Sequence, residues 1–268
     1  SDILVVADMF DMDLRFEEKI GPIFDNPIRN ESDFNKLPRE LDISKLSYVN
    51  KTIKNIKGEL KESLPLIGFI GSPWTVATYL IEGNSTKKFT YIKDMIKNDT
   101  SLLIKVLDMI TRGSIDYIKQ QTQSGVDVIM IFDTWGSLLS SDEYHAFSLK
   151  YIKKIITGID SDIPVIYYSR TTSNFEYLKN MNIDCIGVSS ENNLQMIYEL
   201  LDKKISLQGN FDVEILKSDN STIKSEVMKT LNSFPYESGH VFNLGTGITP
   251  DISPDKVSYL VDIVHELS

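Results

Sequence analysis

The sequence predicts an α/β fold in which parallel strands alternate with helices, and three features indicate it. Short apolar, β-branched runs recur along the chain, amphipathic stretches separate them, and each run ends in polar or glycine residues. Near-continuous apolarity is typical of parallel strands that are buried on both faces. Strict alternation of strands and helices leaves two candidate architectures, a closed eight-fold barrel and an open doubly wound sheet.

Six apolar runs are predicted to be the parallel strands. In chain order they cover residues 65–71, 127–133, 164–170, 185–190, 205–210 and 240–245. Upstream of them, residues 16–24 around Gly21 and Pro22 predict a hairpin, which is the one departure from the alternation. The only cysteine, Cys185, begins one of these strands and is predicted to be a small buried hydrophobic residue.

The segments between the strands are predicted to be helices. Ser253 and Pro254 form an N-cap and first-turn pair at the start of the last helix. Apolar stripes at helical spacing support two of the helices. One stripe consists of Phe147, Tyr151, Ile152 and Ile155, and the other, on the last helix, consists of Val257, Leu260, Val261 and Val264.

Two observations favour the barrel over the open sheet. No strand is followed by a G-x-G-x-x-G phosphate-binding turn, since Gly68 and Gly71 precede Ser72 and Pro73. Polar residues also stand at most predicted strand ends, and these are Ser72, Thr134, Ser169, Ser189, Asn210 and Asn243. In a barrel these ends meet on one face, where active sites lie, although strands commonly end in polar residues for no functional reason. We therefore predict a (β/α)8 TIM barrel that forms a single domain over residues 1–268.

Composition limits the classes of partner. The 268 residues are 41% hydrophobic and 25% charged, which suits one globular domain. A net charge of −10 argues against nucleic acid as a partner, because phosphate binding needs a surplus of Lys and Arg. No apolar run is long enough to cross a membrane, and no secretory signal is apparent, so a cytoplasmic protein is expected. Cys185 is the only cysteine and the three histidines are far apart in the sequence, so these residues show no metal-ligand spacing and no metal site is predicted.

Several motifs occur in one order along nearly the whole chain. They are SDILVV at 1–6, GPIFDNPIR at 21–29, PLIGFIGSPWTVATYLIEG at 65–83, MIFDTWG at 130–136, LQGNFD at 207–212 and NLGTG at 243–247. Together they make the sequence resemble the uroporphyrinogen decarboxylase family. The resemblance implies a (β/α)8 barrel, a homodimer and an enzyme that needs neither metal nor organic cofactor. It also implies that the substrate is uroporphyrinogen, which loses four acetate carboxyls to give coproporphyrinogen.

The resemblance also implies roles for individual residues. Asp2 corresponds to the catalytic carboxylate that accepts hydrogen bonds from the pyrrole N–H groups, and a fixed carboxylate would stabilise the cation formed by ring protonation. Tyr79 and Thr134 correspond to substrate-contacting positions, and Phe69 corresponds to an aromatic residue that lines the cleft. By pattern alone, Asp2 is a surface acid, Tyr79 lies at the rim of a helix and Thr134 caps a turn.

The chain departs from the family pattern at several places. Thr246 stands where the family has histidine, and threonine cannot carry a positive charge to a substrate carboxylate. Ser189 and Ser190 replace an Asp-Trp pair. The family's arginine-bearing segment would lie upstream of Ser1, so we expect the printed chain to lack the first barrel strand and most of the second. Of the five arginines, only Arg170 lies at the tip of a predicted strand.

Two alternative functions stay open. The departures are compatible with a catalytically impaired, tetrapyrrole-binding homologue, which an assay of decarboxylation would distinguish from the enzyme. The cobamide-dependent methyltransferases related to this family are the second alternative. They need a zinc site built from His and Cys, and Cys185 has no neighbouring histidine in the sequence.

Overall fold

The computed structural model describes residues 2–18, 20–160, 162–169, 175–236 and 239–268. The chain divides into two compact units, Ser1–Val165 and Ile166–Ser268. The strands are β1 Leu14–Glu17, β2 Gly21–Phe24, β3 Ile67–Gly71, β4 Val128–Asp133, β5 Val165–Ser169, β6 Cys185–Gly187, β7 Ser206–Phe211 and β8 His240–Leu244. The α-helices of the first unit are α1 Glu31–Phe34, α2 Ser47–Glu59, α3 Pro73–Glu82, α4 Thr90–Asn98, α5 Thr100–Gln123, α6 Ser141–Tyr144 and α7 Lys150–Gly158. Those of the second unit are α8 Leu194–Leu200, α9 Asn220–Asn232 and α10 Pro254–Leu267.

Each of the six apolar runs contains a strand, so the predicted strands are confirmed. In the first unit β3 and β4 pair in parallel, with Ile67 opposite Val128. β1 and β2 form the predicted hairpin and pair antiparallel, with Leu14 opposite Phe24. Gly21 lies in β2 rather than in the turn, where its φ of 94° is open to glycine but strained for other residues.

Helix α3 illustrates how local sequence fixes an element beside the strand ends. Ser72 caps the helix, because its Oγ accepts a hydrogen bond from the N–H of Thr75 at 3.1 Å, and Pro73 occupies the first turn. Gly83 ends the helix in the left-handed region, with its N–H bonded to the carbonyl of Tyr79. Trp74 and Leu80 are fully buried, so both faces of the helix are packed.

A glutamine side chain pairs with the backbone of β3. The N–H of Phe69 donates to Oε1 of Gln121 at 3.1 Å, and Nε2 of Gln121 donates to the carbonyl of Phe69 at 3.1 Å. Gln121 is buried at the end of α5. Its amide thus makes the two hydrogen bonds that the backbone of a neighbouring strand would make.

The first residues form a helical turn rather than a strand. Val5–Phe10 is a 3₁₀ helix that ends at Asp11, and Val5, Val6 and Phe10 are buried. The β-branched residues of SDILVV favour a strand by propensity, but burial of both sides of a tight turn outweighs that preference.

The second unit contains a parallel sheet in the order β5, β6, β7, β8, in which Leu207 lies opposite His240. Its core is built from β7, α9 and α10, and includes Phe211, Val227 and Leu260. Ser253 caps α10, as predicted. The predicted stripe on α10 is only partly buried, since Val261 is 47% exposed whereas Leu260 is 6% exposed.

Cys185 behaves as the sequence predicted. It is a free, buried cysteine on β6, and burial raises the pKa of its thiol to about 12. The thiol is therefore protonated and unreactive at neutral pH. No helix in the described part of the chain is both long and apolar enough to cross a membrane.

Candidate functional site

Asp2 is fixed beside the carboxyl end of β3. The N–H of Gly71, the last residue of β3, donates to the carbonyl of Ile3 at 3.3 Å. One side-chain oxygen of Asp2, Oδ1, accepts from the N–H of Leu4 at 2.9 Å. No group in the described chain donates to the other oxygen, Oδ2, and the residue is only half-buried. Asp2 is therefore oriented by its own backbone and keeps one carboxyl oxygen available to a ligand.

Tyr79 lies close enough to Asp2 for the two side chains to interact electrostatically. Burial raises the pKa of Tyr79, hydrogen bonding to Trp135 and Ser85 opposes this rise, and the negative charge of Asp2 adds to it. The phenol is therefore protonated at neutral pH and can donate a hydrogen bond. Helix α3 positions Tyr79 one turn before the terminating Gly83. The structure thus brings together Asp2 and Tyr79, two residues that are far apart in sequence.

A buried carboxyl group holds the ends of β3 and β4 together. Asp133, the last residue of β4, is fully buried and accepts hydrogen bonds from the side chains of three buried residues. These are Ser72 at 2.6 Å, Ser148 at 2.7 Å and Thr75 at 3.3 Å. A buried carboxyl group is tolerated only when its oxygens are satisfied in this way.

The residues after Asp133 are positioned by the same cluster. The N–H of Trp135 donates to Oγ1 of Thr75 at 3.3 Å, and the carbonyl of Trp135 accepts from the indole of Trp74 at 2.8 Å. Thr134, between the two anchored residues, is half-buried, and its hydroxyl has no hydrogen-bond partner in the described chain. Thr134 therefore presents a free hydroxyl from a rigid strand end.

Trp135 connects this loop to Tyr79. Its ring centroid lies 6.3 Å from that of Tyr79 and 4.9 Å from that of Phe89. Such tilted aromatic contacts are favourable and directional. The order of contacts is thus Asp133, Thr75, Trp135 and Tyr79. Asp133 was not predicted as a site residue, although a carboxylate that ends an apolar strand in MIFDTWG was a visible signal.

Phe69 has a different set of neighbours. Its ring packs edge to face on Phe132, with 6.2 Å between centroids. It lines an apolar cavity of about 280 Å³ together with Tyr48, Ile53 and other residues of α2, β3 and α5. Asp2, Tyr79 and Thr134 are not among the residues that line this cavity.

Thr246 belongs to the second unit, at the end of β8. It is half-buried, and its hydroxyl has no partner among the described residues. The hydroxyl of Tyr168 donates to the carbonyl of Gly245 at 3.2 Å. A β-carbon at Gly245 would lie 2.4 Å from the backbone nitrogen of Ser190, so only glycine fits there. Thr246 therefore follows a backbone segment that is closely packed.

Asn210, near the carboxyl end of β7, and His240, the first residue of β8, both hydrogen-bond to backbone carbonyls. Nδ2 of Asn210 donates to the carbonyls of Ser189 and Asn192, at 3.1 and 2.7 Å. Nε2 of His240 lies 2.6 Å from the carbonyl of Gly209, and burial lowers the pKa of His240. A neutral imidazole that donates from Nε2 fits this geometry.

Arg170 lies outside the described residues. Within the described ranges, no three His, Cys, Asp or Glu side chains are grouped so that they could hold a metal ion.

Comparison with known proteins gives the family. The family model described as uroporphyrinogen decarboxylase matches residues 1–267. A uroporphyrinogen decarboxylase from Vesicomyosocius okutanii is 40% identical over 272 residues, which cover 100% of this chain and 78% of that protein. The uroporphyrinogen decarboxylase from Escherichia coli O81 is 38% identical over 274 residues, which cover 100% of this chain and 77% of that protein.

Solved structures agree on the fold. A methyltransferase from Methanosarcina mazei has a TM-score of 0.81 at 20% identity and covers 98% of this chain and 77% of its own. A B12-independent methionine synthase from Shewanella has a TM-score of 0.64 at 13% identity, and the match covers 99% of this chain and 77% of that protein. These likenesses concern the fold alone, an α/β architecture of the TIM-barrel type, as predicted. By its match over nearly every residue, this chain belongs to the uroporphyrinogen decarboxylase family.

Proposed function

We propose that this protein decarboxylates the four acetate side chains of uroporphyrinogen to give coproporphyrinogen in haem biosynthesis. The observation that carries the proposal is the family match over residues 1–267. The position of Asp2 beside the carboxyl end of β3, within electrostatic range of Tyr79, supports it, because this is the face on which such folds place their active sites.

Asp2 is the proposed catalytic residue. Protonation of a pyrrole ring gives a cation, and the electrons of the breaking C–C bond flow into that ring as CO₂ leaves. The available Oδ2 of Asp2 would accept hydrogen bonds from the pyrrole N–H groups and stabilise this positive charge. Because hydrogen bonding to Leu4 already fixes the carboxyl group, little reorganisation is needed when the charge develops.

The other predicted site residues are proposed to bind the substrate. The protonated phenol of Tyr79 and the free hydroxyl of Thr134 would donate hydrogen bonds to substrate carboxylates. Thr246 would contribute one further hydroxyl, and Phe69 is proposed to offer apolar contact to the macrocycle. Binding of a small-molecule substrate is common to the family.

Three further parts of the proposal rest on the sequence: composition suggests the single domain and the cytoplasmic location, and the family resemblance implies the homodimer. The protein is proposed to act as a single domain, as a homodimer and in the cytoplasm. Sedimentation velocity of the full-length protein would test the homodimer, and a sedimentation coefficient of a monomer would contradict it. Turnover is expected to survive chelators. Loss of activity with a chelator and its return with zinc would contradict that expectation.

The central test is a decarboxylation assay of the full-length protein and its Asp2→Asn variant. Asn keeps the shape of Asp but not its charge, so we expect turnover to fall by about a hundredfold or more. Asp13→Asn is the matched control, because Asp13 is exposed and its left-handed backbone is tolerated by Asn. Equal rates for Asp2→Asn and the wild type would refute the role of Asp2. Substrate binding without turnover in the wild type would favour the impaired homologue.

A further inference from the structure

Two arginines that are distant in sequence line one cavity in the first unit. The cavity has a volume of about 560 Å³ and lies between α5 and the loop that follows α1. Arg39 enters it from the loop and Arg112 from α5. Phe34, Leu41 and Met109 contribute apolar surface. None of the proposed decarboxylase residues is among its lining residues.

Neither guanidinium is neutralised by another side chain among the residues that the structure describes. The side chains of Arg39 and Arg112 form no hydrogen bond or ion pair in the described part of the chain. Arg15 and Arg29 behave differently, since Arg15 pairs with Asp25 and Arg29 stacks on a tyrosine ring at 3.7 Å. Asp116 lies one turn from Arg112 on α5 but is not bonded to it.

Neighbouring donors are also free. The backbone N–H groups of Arg39, Glu40 and Leu41 donate to no acceptor within the described residues. The same is true of the side-chain amide of Asn35, which also lines the cavity. Positive charge and unused donors are therefore concentrated at one place in a protein whose net charge is −10.

We propose that this cavity binds a small organic anion that combines a carboxylate or phosphate group with an apolar body. The planar, forked donors of arginine match both groups. Phe34, Leu41 and Met109 would contact the apolar body. The volume lies within the range of small-molecule sites, about 300–1,000 Å³. An anion between the two guanidiniums would also relieve their mutual repulsion.

The test uses calorimetric titration of the full-length protein with phenyl phosphate, inorganic phosphate and benzoate at constant ionic strength. We expect saturable binding of phenyl phosphate that is tighter than that of inorganic phosphate, because only the former has an apolar body. Tighter binding of benzoate than of phenyl phosphate would assign the site to carboxylates, and the reverse order would assign it to phosphate esters. Arg39→Gln and Arg112→Gln should each weaken binding by about tenfold or more.

Arg15→Gln is the matched control, because it removes an exposed arginine elsewhere in the same unit. It should leave binding unchanged. Decarboxylase activity should be unchanged in all three variants, so failure of the decarboxylase proposal would not affect this one. Absence of saturable binding for every probe would overturn the proposal. Binding that the Arg39→Gln, Arg112→Gln double variant retains would also overturn it, because the probes would then occupy another site.

Discussion

Removal of the Asp133 carboxyl group should destabilise the protein strongly. In Asp133→Ala the hydroxyls of Ser72 and Ser148, now 2.6 and 2.7 Å from a carboxyl oxygen, lose their acceptor while fully buried. Each such loss costs about 1–3 kcal/mol. The hydrogen bond from the third donor, Thr75, is longer at 3.3 Å, so its loss adds less to the cost. Alanine also removes the desolvation cost of the buried carboxyl group, which offsets part of this loss. We expect a net loss of about 3 kcal/mol in the free energy of unfolding.

The measurement is urea unfolding, with the midpoint and slope compared between variants. Asp133→Asn keeps one carbonyl oxygen, and the hydroxyls can rotate to use the amide, so its loss should be about 1 kcal/mol. Asp116→Ala is the matched control, because Asp116 is exposed and makes no side-chain bond in the described chain. Its effect should be within about 0.5 kcal/mol. If Asp133→Ala were as stable as Asp116→Ala, the carboxyl group would not hold the strand ends together.

Three other predictions concern single residues. Gly136→Ala should destabilise the protein by about 1–3 kcal/mol, because the added methyl would lie 2.8 Å from a carboxyl oxygen of Asp133. Urea unfolding measures this loss, and an unchanged midpoint would contradict the prediction. Burial lowers the pKa of His240 below 6.5 in the folded state, so the unfolded state binds the proton more tightly and stability should fall as pH drops below about 6.5. In His240→Gln that part of the pH dependence should vanish, and an identical pH profile would show that His240 does not cause it. Thr246→His should tighten substrate binding by about 1 kcal/mol when the imidazole is protonated. A Michaelis constant that does not change between about pH 6 and 8 in this variant would show that position 246 does not contact the substrate.

Much of the fold could be predicted because its signals are local. The apolar runs that became β3 and β4 are bounded by polar or glycine residues, and the Ser253-Pro254 pair marks the start of α10. Such patterns depend on neighbours along the chain and on burial, both of which the sequence displays. SDILVV was harder, because its strand propensity conflicts with the 3₁₀ helix that packing imposes.

The candidate site was predictable only as far as the motifs reached. The resemblance named Asp2, Tyr79 and Thr134, and the structure places the first two close enough to interact. It could not reveal Asp133, whose partners Ser72 and Ser148 lie 61 and 15 positions away in the chain. A carboxylate at a strand end looks the same in sequence whether solvent or hydroxyls surround it.

The sequence by itself determined the strands, the start of the last helix and the family. Only the tertiary structure decided that Gln121 pairs with the backbone of β3, that three hydroxyls surround Asp133, and that Arg39 and Arg112 line one cavity. The physical reason is one of distance. Periodicity and caps act over a few residues, whereas hydrogen bonds and charge pairs require side chains within about 3–4 Å, and packing alone sets which distant residues come that close.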